Sequence, residues 1–192
     1  MSKSASASSS HPAIPAHAMP APQRVKRHVI SALVKNVPGL LAQVANLFAA
    51  RGYNIESLTV AETESADFSR MTICVRADEE VIAAMERGLK KFIAVIKVLD
   101  FTGINHVERD LALIKLTIPA GARQEILALI QVFGGKVVDM GLKDVTIELA
   151  GPEAKIDAFL NIVRPYGIIE MARTGRVAIA RGSAMEGQEV EP

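Results

Sequence analysis

One loop of this chain carries residue types that suit a small carboxylate ligand. Asn36-Val37-Pro38-Gly39 precedes an apolar helical stripe, and Asn54 lies at the start of the next extended segment. Free backbone N–H groups at a helix start attract anions, and glycine lets a ligand approach the backbone closely. The amide of Asn54 offers donors and acceptors for a carboxylate or an ammonium group. The alternative interpretation is structural: Asn36 caps the helix, Gly39 turns the chain and Asn54 is a turn residue.

No other residues in the chain form a recognisable catalytic or metal-binding pattern. The sequence contains no G-x-S-x-G or G-x-G-x-x-G string, and Gly134-Gly135-Lys136 follows a helix and precedes a strand, the reverse of a phosphate-binding loop. Cys74 lies among apolar neighbours, which is typical of a buried small residue rather than a nucleophile. The histidines have no second ligand at metal spacing: His11, His17, His28 and His106. The sequence therefore does not predict an enzyme.

The composition fits a folded chain in a reducing compartment. Its 192 residues allow one medium domain or two small ones, and 49% of them are hydrophobic. The 22 basic and 21 acidic residues nearly cancel, so no basic face for nucleic acid is predicted. A single cysteine excludes an intrachain disulfide, and we expect a cytoplasmic protein. No apolar run reaches the roughly 20 residues that span a bilayer, so no membrane partner is expected.

Both ends of the chain are predicted to be disordered, over residues 1–25 and 183–192. The first 23 residues are rich in serine, alanine and proline, with no acidic residue and no apolar signal core. This composition excludes a secretory signal. It also lacks the arginine-rich amphipathic pattern of organellar transit peptides, so a disordered tail is favoured over a transit peptide.

Strand and helix patterns alternate between the tails, and the first half follows the order βαββαβ. Its predicted strands are Arg27–Val34, Tyr53–Thr63, Met71–Val75 and Val95–Phe101. The first helix carries an apolar stripe from Leu40 to Phe48, with Asn36 suited to a cap and Pro38 placed in its first turn. Asp78 is predicted to cap the second helix, whose first turn holds two glutamates.

The same order repeats in the second half. Its predicted strands are Leu111–Ile118, Lys136–Met140, Asp144–Ala150 and Tyr166–Ala172, with Val177–Ala180 as a short extension. Apolar spacing predicts one helix from Ile126 to Phe133 and another that Pro152 opens. The chain is therefore predicted to be an α+β protein with two consecutive ferredoxin-like domains, residues 26–103 and 104–182.

Each predicted domain has one sheet face that its own two helices leave uncovered. In the first strand, Val29 and Leu33 alternate with Ile30 and Val34, so both faces carry apolar side chains. Something must cover the second face, and small domains gain stability by burying such surface against a partner. We therefore expect a homodimer.

The βαββαβ order also builds RNA-recognition domains, which stack bases on aromatic side chains of their central strands. The central strand predicted here carries no aromatic residue between Met71 and Val75. The near-neutral charge gives no basic flank either. RNA binding is therefore disfavoured.

Several strings resemble the small regulatory subunit of acetolactate synthase, a family whose first domain is an ACT domain. The most specific is Arg51-Gly-Tyr-Asn-Ile-Glu-Ser-Leu-Thr-Val60. Further matches are Asn36-x-Pro-Gly39-Leu-Leu, Ser69-Arg-Met-Thr-Ile73, His106-Val-Glu-Arg109, Leu149-Ala-Gly151, Asp157-Ala-Phe159 and Arg173-Thr-Gly-Arg176. Pro38 stands where some members have serine, a change that a helix start tolerates. The resemblance extends over both predicted domains.

The resemblance implies a non-catalytic regulatory subunit that holds no cofactor of its own. It implies a catalytic large subunit that carries thiamine diphosphate, Mg²⁺ and usually FAD, and that makes 2-acetolactate from pyruvate in branched-chain amino acid biosynthesis. In the family, the small subunit raises the activity of this partner and confers feedback inhibition by valine, sometimes by leucine or isoleucine.

The resemblance also implies an effector site between the ACT domains of two copies. Transferred by matching motif, its residues are Asn36, Gly39, Leu40 and Leu41 of one copy with Asn54 and Ile55 of the other. Gly39 to Leu41 would give N–H groups to the carboxylate of the effector, and Asn54 would hold its amino group. Two further functions stay open at this point: a stand-alone ACT sensor of another pathway, and an enzyme whose site the sequence does not reveal.

Overall fold

The structure is a computed structural model that describes residues 25–182, a segment that holds four α-helices and nine β-strands. The strands are β1 (Lys26–Lys35), β2 (Ile55–Glu62), β3 (Phe68–Ala77), β4 (Val95–Asp100), β5 (His106–Thr117), β6 (Lys136–Met140), β7 (Asp144–Gly151), β8 (Ile168–Arg173) and β9 (Val177–Ala180). The helices are α1 (Leu40–Ala49), α2 (Glu79–Leu89), α3 (Arg123–Val132) and α4 (Glu153–Val163). The tails predicted to be disordered lie outside the described residues, apart from Val25.

Two antiparallel sheets repeat one topology. The strand order is β2-β3-β1-β4 in the first sheet and β6-β7-β5-β8 in the second. One face of each sheet carries a buried core packed against two helices, α1 and α2 in the first case and α3 and α4 in the second. The predicted fold class, two consecutive ferredoxin-like βαββαβ units, is therefore confirmed.

The two helices of the first unit begin differently. The Asp78 carboxylate accepts a hydrogen bond from the Val81 N–H at 2.8 Å, which confirms the predicted cap of α2. Helix α1 instead begins after Gly39, which has a positive φ of 84°, and no side chain caps it. The prediction that Asn36 caps this helix is wrong, because its amide donates to Glu62 Oε1 and to the Ala66 carbonyl. Pro38 lies before Gly39, so its predicted place in the first helical turn is also wrong.

Strand β5 begins at His106, five residues before the predicted start at Leu111. Its first four residues pair with β9, and its remaining part pairs with β7 and β8. We call this two-stranded element, His106–Arg109 with Val177–Ala180, the β5–β9 ribbon. The charged half of the ribbon, His106–Arg109, gives no local strand signal, because its extended conformation depends on the pairing with β9.

The β5–β9 ribbon covers part of the open face of the first sheet. Ala178 forms a buried cluster with two residues of that sheet, Val29 and Cys74, and with Phe101, which directly follows β4. The turn before β9 also lies on the sheet, because Thr59 Oγ1 donates to the Thr174 carbonyl at 3.0 Å. A Cβ on Gly175 would lie 2.9 Å from Thr59 Oγ1, so only glycine fits this close approach. The expectation that something covers this face is thus met by the chain itself, and the homodimer stays a prediction.

The open face of the second sheet lacks such a cover within the described residues. Leu113 is 41% exposed there and lines a shallow groove with Lys115 and Glu170. Lys115 lies 3.8 Å from Asp144, so charged side chains of both signs occupy this face. Such a mixture suits contact with water.

We predict that the Cys74 thiol is protected by the ribbon. Burial raises its pKa above the ordinary value of 9.0, because apolar surroundings disfavour the thiolate that reacts with disulfide reagents. In the native protein at pH 8, Ellman's reagent should therefore react slowly. The substitution Ala178→Asp places a charge in the buried cluster and should speed the reaction by about tenfold or more through local opening.

The matched control is Ala120→Asp, which puts the same charge on an exposed turn. It should leave the rate unchanged. A thiol that reacts within seconds in the unmodified chain would contradict the packing of the ribbon on the first sheet.

Candidate functional site

The first candidate half-site is the start of α1. Gly39 precedes the helix, and the N–H groups of Leu40, Leu41 and Ala42 have no partner within the helix because they belong to its first turn. A Cβ on Gly39 would meet nothing within 4 Å, so space is open beside this backbone. Leu40 is buried and anchors the helix, whereas Leu41 is 46% exposed. The geometry therefore presents free donors next to open space and one exposed apolar side chain.

The electrostatics distinguish α1 from the other helices of the described segment. Helices α2, α3 and α4 each carry an acidic residue in the first turn, and α1 carries none. An acid in the first turn neutralises the positive end of the helix dipole, so this end of α1 is left unopposed. The arrangement suits an anion such as a carboxylate.

Asn36 lies beside this helix start and tethers the loop to the turn between β2 and β3. Its backbone N–H donates to the Asp67 carbonyl at 2.7 Å, and its side-chain N–H₂ donates to Glu62 and to the Ala66 carbonyl at 3.0 and 3.1 Å. No hydrogen bond within residues 25–182 uses its amide oxygen. That oxygen is the group left to accept from a ligand's ammonium.

The second candidate half-site, Asn54 and Ile55, lies at the opposite end of the same sheet. Ile55 pairs with Val75 at one end of β3, whereas Glu62, which contacts Asn36, pairs with Ser69 at the other end. Seven strand steps separate Ile55 from Glu62, a distance of about 23 Å. A single chain therefore brings Asn36, Gly39, Leu40 and Leu41 together but does not bring Asn54 and Ile55 to them.

The start of β2 is held by charges that sequence analysis missed. The pairing of β2 with β3 shifts register between Ile55 and Ser57, so Glu56 is the bulged residue. A bulge re-aims a side chain. The Glu56 carboxylate contacts Arg27 Nε at 2.5 Å and Arg76 Nε at 2.6 Å.

These charges continue into the second domain. Glu153, the first residue of α4, accepts a hydrogen bond from Arg27 and forms an ion pair with Arg176, and Arg176 also donates to Glu108 at 3.1 Å. The side chains of Arg176 and Glu153 are only 11% and 17% exposed. We call the whole set, three arginines and three glutamates, the interdomain ion network: Arg76, Glu56, Arg27, Glu153, Arg176 and Glu108.

The sequence contains no pattern that predicts this network, because its members come from six separate elements or loops between residues 27 and 176. Three of the strings that carry the family resemblance contain members of it: Arg51–Val60 contains Glu56, His106–Arg109 contains Glu108, and Arg173-Thr-Gly-Arg176 ends at Arg176. That resemblance was the one available signal, and it did not indicate a role in joining the domains.

The described residues hold no group of three or more His, Cys, Asp or Glu side chains placed to bind a metal ion. Between residues 25 and 182, no helix is long and apolar enough to cross a membrane.

Comparison with known proteins places both halves in one family. The sequence profile described as the small subunit of acetolactate synthase matches residues 109–182, and the profile of the small-subunit-like ACT domain of the same synthase matches residues 30–97. The acetolactate synthase small subunit of Aquifex aeolicus is 46% identical over 169 residues, which is 88% of each chain. A probable acetolactate synthase small subunit of Archaeoglobus fulgidus is 47% identical over 157 residues, 82% of this chain and 98% of that one.

A solved structure agrees with these sequences. The crystal structure of the acetolactate synthase small subunit from Thermotoga maritima matches with a TM-score of 0.75 and 40% identity, over 82% of this chain and 99% of that one. The resemblance found in the sequence is confirmed: the chain belongs to the family of acetolactate synthase small subunits, and its first domain is an ACT domain.

Proposed function

We propose that this chain activates a thiamine-diphosphate-dependent catalytic large subunit and makes it sensitive to valine. Membership of a small-subunit family already implies a catalytic large subunit as partner. The observation that carries the sensing role is the start of α1, where free N–H groups and an unopposed helix dipole stand beside open space. An α-carboxylate fits this end, and a branched side chain fits against the exposed Leu41.

The proposal assigns every cofactor to the partner. Thiamine diphosphate, Mg²⁺ and FAD belong to the catalytic large subunit, which carries out the chemistry of branched-chain amino acid biosynthesis. This chain supplies regulation, and it binds valine, with leucine or isoleucine as related effectors.

The proposed effector site needs two copies of the chain. Within one chain the two half-sites lie about 23 Å apart, so they can meet only if the α1 start of one copy faces the β2 start of another. A homodimer through the ACT domains satisfies this requirement. Valine then stabilises one dimer arrangement, and the catalytic subunit responds to the shifted population with a coupling of about 1–3 kcal/mol.

The direct test is acetolactate formation by the cognate catalytic subunit, with and without this chain, across a valine titration. We expect activation that valine reverses. Activation without any valine response would discard the effector site but keep the partnership. Absence of any effect would favour a stand-alone sensor of another pathway.

We predict that Asn36→Ala weakens valine inhibition while activation stays largely intact. The change removes an amide that holds the α1 loop and whose oxygen can accept from the ammonium of valine. Losing a hydrogen bond to a charged group costs roughly 1.5–3 kcal/mol, or on the order of ten to a hundredfold in the half-inhibitory concentration. Inhibition curves at saturating small subunit measure the effect.

The control variant is Glu62→Ala, which removes the partner of the Asn36 amide but leaves its oxygen in place. If Asn36 touches valine, Glu62→Ala should have the smaller effect. Equal effects of the two variants would mean that Asn36 only holds the loop in place and does not contact valine. If Asn36→Ala has no effect on inhibition, Asn36 is not part of the effector site.

We also predict that Glu153→Gln reduces valine sensitivity without touching either half-site. Glu153 holds Arg27, which in turn holds Glu56 beside Ile55, so loss of its charge loosens the start of β2. We expect the half-inhibitory concentration of valine to rise severalfold and the free energy of unfolding to fall by about 1–3 kcal/mol, because two arginines lose a partly buried partner.

Glu148→Gln serves as the matched control, because Glu148 pairs with the exposed Lys136 on the second sheet. An exposed pair contributes at most about 1 kcal/mol, so this change should leave both measurements nearly unaltered. If Glu153→Gln and Glu148→Gln give the same valine inhibition curve, the interdomain ion network has no role in the response to valine.

A further inference from the structure

The β5–β9 ribbon has an inner and an outer face, because successive strand residues alternate sides. Ala178 lies on the inner face and is buried against the ACT sheet. The outer face pairs Val107 with Ile179 and Arg109 with Val177. Val177 and Ile179 are 49% and 62% exposed, so β-branched side chains project from the ribbon into solvent. Exposed apolar residues grouped in this way mark an interaction surface.

Two arginines border this outer face. Arg70 of β3 and Arg109 of the ribbon line a groove of about 270 Å³ together with the apolar side chains. Arg70 donates to Ser31 Oγ at 3.1 Å, and Arg109 donates to the Glu108 carbonyl at 2.7 Å. Within residues 25–182 neither forms an ion pair with a carboxylate, unlike the three arginines of the interdomain ion network. The groove is therefore apolar, with positive charge that nothing in the described chain neutralises.

The charge pattern selects the kind of partner. If a second copy docked here about a two-fold axis, the same patch would face itself and arginine would oppose arginine. None of the residues that line the groove is acidic, so no charge would compensate this repulsion. The charge pattern therefore favours a different chain that offers aliphatic side chains flanked by aspartate or glutamate.

We propose that the outer face of the ribbon, Val107, Arg109, Val177, Ile179 and the neighbouring Arg70, is a docking surface for the catalytic large subunit. This proposal rests on the proposed function. The catalytic subunit inserts an apolar segment into the groove, and its acidic side chains pair with the two arginines. Guanidinium groups at the edge of an apolar patch are frequent anchors of such interfaces.

The position of this surface also explains how docking could report on valine. Glu108 belongs to the interdomain ion network, which reaches Glu56 beside the second half-site, while the adjacent Arg109 faces the groove. One short strand segment thus contributes to both the network and the docking surface. A shift of the ribbon changes both at once.

The experiment titrates the full-length chain into the cognate catalytic subunit and measures the concentration for half-maximal activation, with direct binding followed by interferometry. Arg70→Ala, Arg109→Ala and Ile179→Asp should each raise that concentration about tenfold. Arg87→Ala, an exposed arginine on α2, and Leu142→Asp, at a 92% exposed position, are the matched controls and should bind like the unmodified chain. Melting curves check that each variant is folded. If Ile179→Asp is unfolded, the two arginine variants alone test the proposal.

Ionic strength gives a second, independent measurement. Raising the salt concentration should slow association of the unmodified chain, because the arginines steer acidic groups to the groove. The double variant Arg70→Ala with Arg109→Ala should show a flatter salt dependence. Equal slopes would contradict the proposed charge pairing.

Several results would overturn the proposal. If the unmodified chain activates but all groove variants bind as it does, the docking surface lies elsewhere while the proposed function stands. If the unmodified chain neither binds nor activates, the proposed function itself fails. A change of oligomer mass in Ile179→Asp would assign the groove to a second copy. Tighter binding by a chain that ends at Gly182, with no further effect of the arginine variants, would assign it to the glutamate-rich residues 183–192.

Discussion

The contact between the β5–β9 ribbon and the ACT sheet is the constraint from which the rest of the arrangement follows. A four-stranded sheet with both helices on one face leaves apolar residues exposed on the other, and Val29, Cys74 and Phe101 occupy that face here. Alanine on the inner side of the ribbon allows close packing, and Gly175 lets the preceding turn reach β2. The ribbon contains the first four residues of β5, and the rest of β5 is a central strand of the second sheet. The packing of the ribbon on the first sheet therefore also fixes the position of the second domain.

The interdomain ion network makes this contact sensitive to the relative orientation of the two domains. Apolar packing alone tolerates small rotations of one domain on the other, whereas the ion pairs among three arginines and three glutamates depend on the orientation of the two domains. Glu153 occupies the favourable end of the α4 dipole, which lowers the cost of holding its charge in a partly buried place. The network therefore ties the orientation of the second domain to Glu56, the residue next to the predicted contact Ile55.

The features that sequence analysis predicted correctly are those with a local physical cause. Asp78 followed by two glutamates predicts the start of α2 because all the groups involved lie within one helical turn. Asn36 was assigned wrongly as a cap because the residues that its amide contacts, Glu62 and Ala66, are 26 and 30 positions away. The start of β5 was placed at Leu111 for a similar reason. The charged segment His106–Arg109 forms a strand because it pairs with β9 and packs on the other domain. The ion network could not be predicted from the sequence either, because its members are far apart along the chain.

The candidate site shows the same division between local and distant causes. The free start of α1 is visible in the sequence, because Gly39 and the lack of an acid in the following turn are both local. Its proposed relation to Asn54 and Ile55 is not visible, since the two half-sites lie at opposite ends of β2 and one chain cannot bring them together. A regulatory subunit gains from this division. If the proposed effector site forms between two copies, its occupancy depends on how the two chains are arranged, and the proposed docking surface on the ribbon would pass that arrangement to a further partner.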